Sequence, residues 1–247
     1  MATASIVAVW ATGCATPKGQ NEPQPCQVVQ TFQTKVTATV ELRYLLYLPE
    51  DYGRIGKKWP LMLFLHGAGE RGDDVQMVAK HGPMKLVKEG KQFPFIIVSP
   101  QCPLIESWAN PSWIAALSDL LDDVSSRYRA DKDHIYVTGL SMGGFGTWAL
   151  AQEFPHRFAA IAPVCGKGDP TKAELIKNLP IWVFHGAKDP VVPIANSQDM
   201  VDALKKCGSD VKFTIYPEAQ HDSWTETYNN PALYDWFLQY KRGDNNR

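Results

Sequence analysis

Hydrophobic and polar positions follow two different patterns along the chain. Between residues 36 and 48, apolar residues such as Val36, Val40 and Tyr44 alternate with polar ones, which is typical of a half-buried antiparallel strand. A shorter strand is predicted before it, at residues 28–32. Beyond Pro60 the apolar residues form short continuous runs, which indicate strands buried on both faces of a parallel sheet. These runs are residues 61–65, 93–98, 135–137, 159–164, 181–184 and 211–216.

Segments with helical periodicity separate these runs. In one of them, apolar side chains recur at spacings of three and four and so share one face of a helix, namely Ile114, Leu117, Leu121 and Val124. The predicted helices are residues 84–89, 113–128, 142–153, 173–178, 197–207 and 231–240. Strands that alternate with helices predict right-handed β-α-β crossovers. The expected fold is therefore α/β, a three-layer sandwich around a mostly parallel sheet with antiparallel N-terminal strands.

The chain carries no internal repeat and no sign of a second folded domain, so residues 27–247 are predicted to form one domain. The connection at residues 165–180 is 16 residues long and includes one predicted helix. That length is ordinary for a connection in an α/β fold and leaves no room for a large lid domain.

Composition supports a globular protein and excludes several other classes. Of 247 residues, 45% are hydrophobic and 21% are charged, a balance that excludes disorder as the main state. The 25 Lys and Arg residues nearly balance 26 Asp and Glu residues, and no basic run occurs. Nucleic acid is therefore not an expected partner. No apolar run reaches the roughly 18–20 residues that a membrane span requires.

The N-terminal segment suggests export. Residues 4–11 are apolar apart from Ser5, and Thr12 and Gly13 then lead to Cys14, which resembles the lipobox of bacterial lipoproteins. Residues 16–25 are polar and rich in proline, as in a flexible tether. Residues 1–26 are accordingly interpreted as a signal-like segment and tether, with a lipid anchor at Cys14 and a periplasmic or extracellular location. The alternative is a cytoplasmic protein with a frayed terminus, because no Lys or Arg precedes the apolar run.

The cysteines do not decide the compartment. The chain has five of them: Cys14, Cys26, Cys102, Cys165 and Cys207. Buried free thiols and disulfides are both open, and the pairing cannot be ranked from the sequence. No Cys-x-x-Cys or paired Cys and His spacing occurs, so no metal site is predicted.

A nucleophile motif stands between a predicted strand and a predicted helix. Residues 139–143 read Gly-Leu-Ser-Met-Gly, directly after the strand at 135–137 and at the start of the helix at 142–153. In a nucleophile elbow the serine occupies a strained turn, and the glycines let the helix pass close to the strand. This context predicts Ser141 as a nucleophile.

A serine nucleophile needs a base and a residue that orients the base. In folds with this elbow the order along the chain is Ser, then Asp or Glu, then His. His221 follows the strand at 211–216 and is the predicted base, and Asp189 follows the strand at 181–184 and is the predicted acid. Asp222 is the main rival acid. His185 is interpreted as a packing and hydrogen-bonding residue.

Acyl transfer also needs N–H groups that stabilise an oxyanion. The predicted donors are the backbone N–H groups of Met142, which follows the nucleophile, and of Ala68 in the loop after residues 61–65, with Gly67 as the fallback. His66 is expected to hold this loop in place.

Several residues near these motifs are candidates for substrate contact. Glu70 and Arg71 either rim a substrate cleft or form a solvated, ion-paired loop. Trp108 and Trp224 are candidates for an aromatic substrate wall, with packing as the alternative.

Taken together, four motifs resemble those of compact bacterial esterases of the α/β-hydrolase superfamily. They are residues 66–72 (His-Gly-Ala-Gly-Glu-Arg-Gly), 139–144, 185–189 and 221–224. Relatives of such esterases include feruloyl esterases, dienelactone hydrolases, polyhydroxybutyrate depolymerase-like enzymes and the catalytic domains of prolyl oligopeptidases. The resemblance implies a carboxylic-ester hydrolase that uses no metal or organic cofactor, with residues 27–247 as its catalytic domain.

Without a lid, the cleft is expected to favour short-chain or aromatic esters, of which polymer-attached, feruloyl-type esters are one option. Two alternatives remain open: a peptidase or amidase of the prolyl oligopeptidase type, and a non-catalytic binding protein with the hydrolase fold. Turnover of an ester or of a proline-peptide substrate distinguishes them.

Overall fold

The computed structural model describes residues 39–53 and 56–243. Val40–Arg247 forms one compact unit, whose architecture is given below. The strand expected at 28–32, the lipobox-like segment, the tether, Cys14 and Cys26 lie outside the described residues, so the predictions made for them stay predictions. The described part of the chain contains no helix long and apolar enough to cross a membrane.

The core of the fold is a seven-stranded sheet in the order β1-β3-β2-β4-β5-β6-β7. All neighbouring strands run parallel except β1, which is antiparallel to β3. The strands are β1 Tyr44–Tyr47, β2 Trp59–Leu65, β3 Ile96–Pro100, β4 Ala130–Leu140, β5 Ala160–Val164, β6 Trp182–Gly186 and β7 Lys212–Tyr216. The mostly parallel sheet that the apolar runs predicted is confirmed.

Helices connect these strands. The α-helices are α1 Gly82–Lys88, α2 Pro111–Arg127, α3 Met142–Glu153, α4 Ala195–Lys206, α5 Trp224–Asn229 and α6 Pro231–Phe237. Short 3₁₀ helices occupy Glu50–Gly53, Ala68–Glu70, Val75–Lys80, Pro155–Arg157 and Pro170–Ile176.

Alternate side chains of each strand pack on opposite faces of the sheet. On β2, Leu61, Leu63 and Leu65 belong to a core cluster that includes residues of α2, α3 and α4. Met62 and Phe64 belong to a second cluster, with residues of α1, α5 and α6. Strands β2, β3 and β5 are therefore buried on both faces, which explains their continuous apolar runs. Strand β7 is only partly buried, so the prediction that residues 211–216 are buried on both faces is wrong. The helices on the two faces of the sheet produce the predicted three layers.

The N-terminal strand is shorter than its alternating pattern predicted. The predicted range was 36–48, whereas β1 is Tyr44–Tyr47 and residues 39–43 lie outside any strand. Among the described residues, β1 is an edge strand that pairs only with β3, and β3 ends at Pro100 opposite Tyr44. One further hydrogen bond, from Gln101 N to Arg43 O at 2.8 Å, follows before the chains separate. Pairing therefore stops because the partner strand ends.

The connection between β5 and β6 carries no lid. It contains the 3₁₀ helix Pro170–Ile176, not the α-helix expected at 173–178. Asp169 caps this helix by accepting a hydrogen bond from Thr171 N, so the helix begins earlier than its apolar residues indicated. This connection therefore inserts no domain at the carboxyl end of the sheet, as the sequence predicted for residues 165–180.

Candidate active site

Ser141 lies at a strained turn between β4 and α3. Its φ of 52° is in the left-handed region that residues with a Cβ atom rarely adopt. Two glycines make the turn possible. A Cβ atom on Gly143 would lie 1.9 Å from the backbone oxygen of Leu65, and one on Gly139 would lie 2.4 Å from that of Gly143. The helix can therefore cross close above the strand only because both positions lack a side chain.

Three side chains from the carboxyl ends of three strands form a continuous chain of hydrogen bonds. Ser141 Oγ lies 3.0 Å from His221 Nε2, and His221 Nδ1 lies 2.8 Å from Asp189 Oδ2. The residues follow β4, β7 and β6 respectively. The structure thus brings together residues that are 80 and 32 positions apart in the sequence.

The Asp189 carboxylate is fixed by more than His221. Its Oδ1 accepts hydrogen bonds from the backbone N–H groups of Val191 and Val192, both at 2.9 Å. Burial by itself raises the pKa of Asp189, but the hydrogen bonds from His221 and the two N–H groups outweigh it. The pKa of Asp189 therefore lies below its usual value, and the group is ionised at neutral pH.

Asp222, the rival acid, and His185 lie outside this chain of hydrogen bonds. Asp222 is exposed and forms no hydrogen bond with His221. His185 is fully buried, and its Nε2–H donates to Val192 O at 2.8 Å while Nδ1 lies 2.7 Å from Ser197 Oγ. Burial lowers the pKa of His185, so the ring is neutral. His185 therefore supports the loop that carries Asp189, as its interpretation as a hydrogen-bonding residue predicted.

The oxyanion-side loop, residues 66–71, follows β2 and packs against the elbow. A Cβ atom on Gly67 would lie 2.7 Å from Leu140 Cδ1. Burial raises the pKa of the Glu70 carboxyl, and Lys80 and the backbone N–H groups of Gly67 and Glu70 oppose that shift. The assignment of Ala68 as an oxyanion donor, with Gly67 as the fallback, stays a prediction. The Met142 N–H lies in the first turn of α3 and has no acceptor within that helix.

Side-chain hydrogen bonds hold the backbone of this loop. Arg71 Nε donates to Ala68 O at 3.0 Å, and its Nη1 donates to Glu106 O at 3.2 Å. His66 Nε2 accepts from Cys102 N at 3.0 Å, and its Nδ1 lies 2.6 Å from Gly67 O. Burial lowers the pKa of His66 to about 4, so the ring stays neutral. His66 therefore holds the loop, as the sequence indicated.

Of the two candidate substrate contacts in this loop, Glu70 is buried, whereas Arg71 is partly exposed and its role stays a prediction. Glu70 is 3% exposed, and its Oε1 lies 3.7 Å from His81 Nε2 and 4.0 Å from Lys80 Nζ. It belongs to an ion-paired loop and does not rim the cleft. Arg71 is half-buried and bonds backbone carbonyls, so its observed contacts are also within the protein.

The two candidate tryptophans, Trp108 and Trp224, differ in how deeply they are buried. Trp108 is fully buried and donates from Nε1 to His66 O at 3.1 Å, so the prediction that it forms a substrate wall is wrong. It enters the core because Gly146 leaves room, since a Cβ atom there would lie 2.4 Å from Trp108 Cβ. Trp224 is half-buried, with its ring centroid 5.1 Å from that of His221 and 5.5 Å from that of His81. Sequence spacing gave no signal that His81 reaches this position.

Cys165 is the residue in this region best placed to join a metal site. Ligand atoms of Cys165, Asp189 and His221 lie within 4.8 Å of one another. Burial raises the pKa of Cys165 to about 12, so the thiol is protonated at neutral pH. Its Sγ lies 3.6 Å from His221 O, and Cys102, Cys165 and Cys207 are all free thiols.

Comparison with known proteins shows which family this chain belongs to. The model of the dienelactone hydrolase family matches residues 108–237, which is more than half of the chain. The chain belongs to the dienelactone hydrolase family. The matched segment contains Ser141, Asp189 and His221, whereas the oxyanion-side loop lies outside it.

Individual relatives of this dienelactone hydrolase family member are esterases by name. A bifunctional acetylxylan esterase/xylanase from Neocallimastix patriciarum is 26% identical over 187 residues, which cover 72% of this chain and 26% of that protein. A probable feruloyl esterase C from Aspergillus niger is 26% identical over 215 residues, covering 85% of this chain and 77% of that protein. The crystal structure of a thermostable esterase is 38% identical with a TM-score of 0.72, covering 82% of this chain and 60% of that one. The chain thus spans about a quarter of the first relative's length.

Proposed function

We propose that this member of the dienelactone hydrolase family is a serine carboxylic-ester hydrolase that works through an acyl-enzyme on Ser141. The observation that carries the proposal is the unbroken contact from Ser141 Oγ to His221 Nε2 at 3.0 Å and from His221 Nδ1 to Asp189 Oδ2 at 2.8 Å. Such a chain supplies a nucleophile, a base in reach of its proton, and a carboxylate that fixes the base.

In the acylation step, Ser141 Oγ attacks the ester carbonyl carbon while His221 Nε2 accepts the hydroxyl proton. Asp189 keeps the other ring nitrogen, Nδ1, protonated and stabilises the imidazolium that forms. Asp189 can do so because two backbone N–H groups fix its second oxygen. The tetrahedral oxyanion accepts hydrogen bonds from the N–H groups of Met142 and Ala68.

The intermediate then expels the alcohol, which takes the proton from His221 Nε2. A water molecule next loses its proton to the same nitrogen and attacks the acyl carbon. Collapse of this second intermediate breaks the bond to Ser141 Oγ, returns the proton to the serine and releases the carboxylic acid.

The proposed substrates are short-chain or aromatic esters. The connection between β5 and β6 holds a single short 3₁₀ helix, Pro170–Ile176, so it inserts no domain over the cleft. An open cleft offers little apolar surface to a long acyl chain. Relatives named as acetylxylan esterase and feruloyl esterase support small and aromatic acyl groups, including groups attached to a polymer.

A panel of esters tests the proposal. The purified chain is assayed with p-nitrophenyl acetate, butyrate and palmitate, with methyl ferulate and with an emulsified long-chain triglyceride, and Ser141→Ala serves as the matched blank. We expect turnover of the acetate, butyrate or ferulate ester, a steep fall with acyl length, and no activity in the blank. Faster cleavage of the triglyceride than of butyrate would contradict the open cleft. Faster cleavage of a proline-peptide substrate than of any ester would overturn the esterase assignment.

A further inference from the structure

Among the residues that the structure describes, two besides glycines have a left-handed backbone. They are Ser141, with a φ of 52°, and Cys165, with a φ of 40°. This conformation brings a Cβ atom too close to the backbone, so it is unfavourable for most residues other than glycine. Strain of this kind is concentrated at functional sites, where the surrounding structure maintains it. Because Ser141 is the proposed nucleophile, Cys165 is a candidate for a role in the same site.

The turn after β5, residues 164–166, lies directly against the nucleophile elbow. Val164 O accepts a hydrogen bond from Ser141 N at 3.0 Å. A Cβ atom on Gly166 would lie 2.5 Å from the backbone carbon of Gly144 in α3, so the turn and the helix meet this closely only because side chains are absent there. The backbone of the turn is therefore fixed against the elbow, and the residue between these two contacts has little freedom to change its φ.

The Cys165 thiol links this turn to the base. The side chain is fully buried, and its Sγ lies 3.6 Å from His221 O, within hydrogen-bonding distance for sulfur. Because burial raises the pKa of this thiol to about 12, it keeps its proton and can donate to that carbonyl oxygen. The Sγ also lies within 4.8 Å of a ring nitrogen of His221 and a carboxylate oxygen of Asp189. The backbone of the base is thus connected to a turn that is itself fixed against the nucleophile.

The strain at Cys165 is evidence that its side chain has a task. A glycine would adopt a φ of 40° without strain, whereas this chain carries a cysteine at the position. The cost is offset by contacts of the side chain, and neither glycine nor alanine could donate to His221 O. Since no part of Cys165 is exposed to a substrate, any effect on the reaction must act through another residue.

We propose that Cys165 is a positioning residue for the proposed hydrolysis, in which its thiol holds the backbone of His221 in place. Held in this way, Nε2 of His221 stays within reach of Ser141 Oγ while Nδ1 stays bonded to Asp189. The ring has to keep both contacts through two successive proton transfers, and small misplacements of a catalytic group lower the rate strongly. This inference rests on the proposed ester hydrolysis.

Three substitutions at position 165 separate the hydrogen bond from the strain. Cys165→Ala removes the donor and keeps the Cβ atom, and Cys165→Gly removes the donor and also relieves the strain. Cys165→Ser keeps a donor, which has to move closer because an O–H donor bonds at a shorter distance. On the p-nitrophenyl ester that the wild type hydrolyses fastest, we expect kcat to fall about tenfold in the alanine and glycine variants and about threefold in the serine variant, with KM within about twofold. Cys207→Ala, which removes a half-buried free thiol at the end of α4, is the control and should match the wild type.

Proton NMR tests the positioning without any substrate. The Nδ1 proton of His221, in its hydrogen bond to Asp189, gives a signal at very low field, and His221→Gln assigns the signal by removing it. The alanine and glycine variants should shift this signal to higher field and broaden it, and the serine variant should do so less. Cys207→Ala should leave the signal unchanged.

The two measurements together separate this inference from the proposed function. If no ester is hydrolysed but the signal depends on residue 165 as described, the proposed function fails and the positioning role stands. If esters are hydrolysed but the alanine and glycine variants keep wild-type kcat or an unchanged signal, the inference is overturned. It is also overturned if the serine variant loses as much kcat as the alanine variant, because the donor would then have no role. Should Cys165→Ala fail to fold by circular dichroism, Cys165→Gly decides, since its backbone is free of strain.

Discussion

Two segments next to the Ser141 turn differ: side-chain hydrogen bonds hold the oxyanion-side loop, whereas residues 167–172, which follow β5, expose most of their side chains. His66, Arg71 and Trp108 all form hydrogen bonds with backbone atoms of the loop or its neighbours. In residues 167–172, the backbone oxygen of Asp169 accepts a hydrogen bond from Gln152, and Lys167 and Lys172 are exposed.

The difference follows from what each segment must do. Groups that stabilise a transition state have to be held to within a fraction of an ångström, so their loop needs many constraints. Residues 167–172 provide none of the predicted donors and can remain exposed. Substitutions in the oxyanion-side loop should therefore lower kcat, whereas substitutions at exposed positions of residues 167–172 should change it little.

The largest loss of kcat in this series should come from substitutions at the point where the elbow crosses the oxyanion-side loop. Gly143→Ala places a Cβ atom 1.9 Å from the backbone oxygen of Leu65, and backbone atoms cannot move aside easily. We expect kcat to fall at least about a hundredfold on every ester. In Gly67→Ala the close contacts are with side-chain atoms, Leu140 Cδ1 at 2.7 Å and Glu70 Oε2 at 3.2 Å, while the backbone oxygen of Leu140 lies at an ordinary 3.7 Å, so kcat should fall only about tenfold.

Gly69→Ala is the control for this series, because a Cβ atom there has no neighbour within 4 Å. It should leave kcat and the melting temperature unchanged. Circular dichroism establishes that each variant is folded before its kinetics are compared. If folded Gly143→Ala has wild-type kcat, the oxyanion-side loop is not tightly constrained.

Acid should lower the free energy of unfolding through His66, the buried histidine of the oxyanion-side loop. Burial lowers the pKa of His66 from its ordinary 6.5 to about 4, so the unfolded chain takes up a proton at higher pH than the folded one. The stabilisation is complete above about pH 6.5 and is lost as the pH falls towards 4, in total about 3 kcal/mol. Urea unfolding at pH 7 and pH 4.5 measures this loss.

His66→Gln removes the titrating ring and should lose less stability on acidification than the wild type, although it is less stable at pH 7. His156→Gln, at an exposed position, should lose as much as the wild type. An equal acid-induced loss in the wild type and His66→Gln would show that other groups cause it.

A smaller effect on kcat is expected when the buried carboxylate of Glu70 is replaced. Glu70→Gln keeps the size of the side chain but removes the charge that faces Lys80, His81 and the Gly67 N–H. Loss of a charge-assisted hydrogen bond should lower kcat about tenfold, with KM unchanged. Glu89→Gln, an exposed acid paired with Lys85, is the control and should behave like wild type. A change in KM alone would place Glu70 in contact with substrate.

The smallest effect concerns Trp224, whose ring lies beside His221 and remains partly exposed. Trp224→Ala should raise KM for methyl ferulate by a few fold and KM for p-nitrophenyl acetate less, because an aromatic acyl group loses a partner for ring contact. Trp224→Phe should restore most of the difference. Equal effects on both esters would mean that the ring only supports His221.

The sequence predicted those features that local patterns determine. Helix α3 has the predicted bounds of Met142–Glu153, because the strand, the Gly-x-Ser-x-Gly turn and the helix are contiguous in the chain. Asp189 and His221 were identified because parallel strands bring their carboxyl ends together in a known order. His66 was assigned its supporting role because it opens a loop of small residues.

Features that depend on distant contacts could not be predicted. Trp108 is buried because Gly146, far along the chain, leaves space beside it. Glu70 is buried because Lys80 and His81 come from the following 3₁₀ helix and the start of α1. Strand β1 ends where its partner β3 ends, and the alternating pattern of β1 contains no information on the length of β3.

The acyl-enzyme itself provides the most direct test of the central claim. The chain is mixed with p-nitrophenyl butyrate, quenched with acid within milliseconds, and examined by intact-protein and peptide mass spectrometry. We predict one butyryl group per molecule, on the peptide that carries Ser141, and no such group in Ser141→Ala. A butyryl group on another residue, or hydrolysis by Ser141→Ala at more than a few per cent of the wild-type rate, would contradict the assignment of Ser141 as the nucleophile.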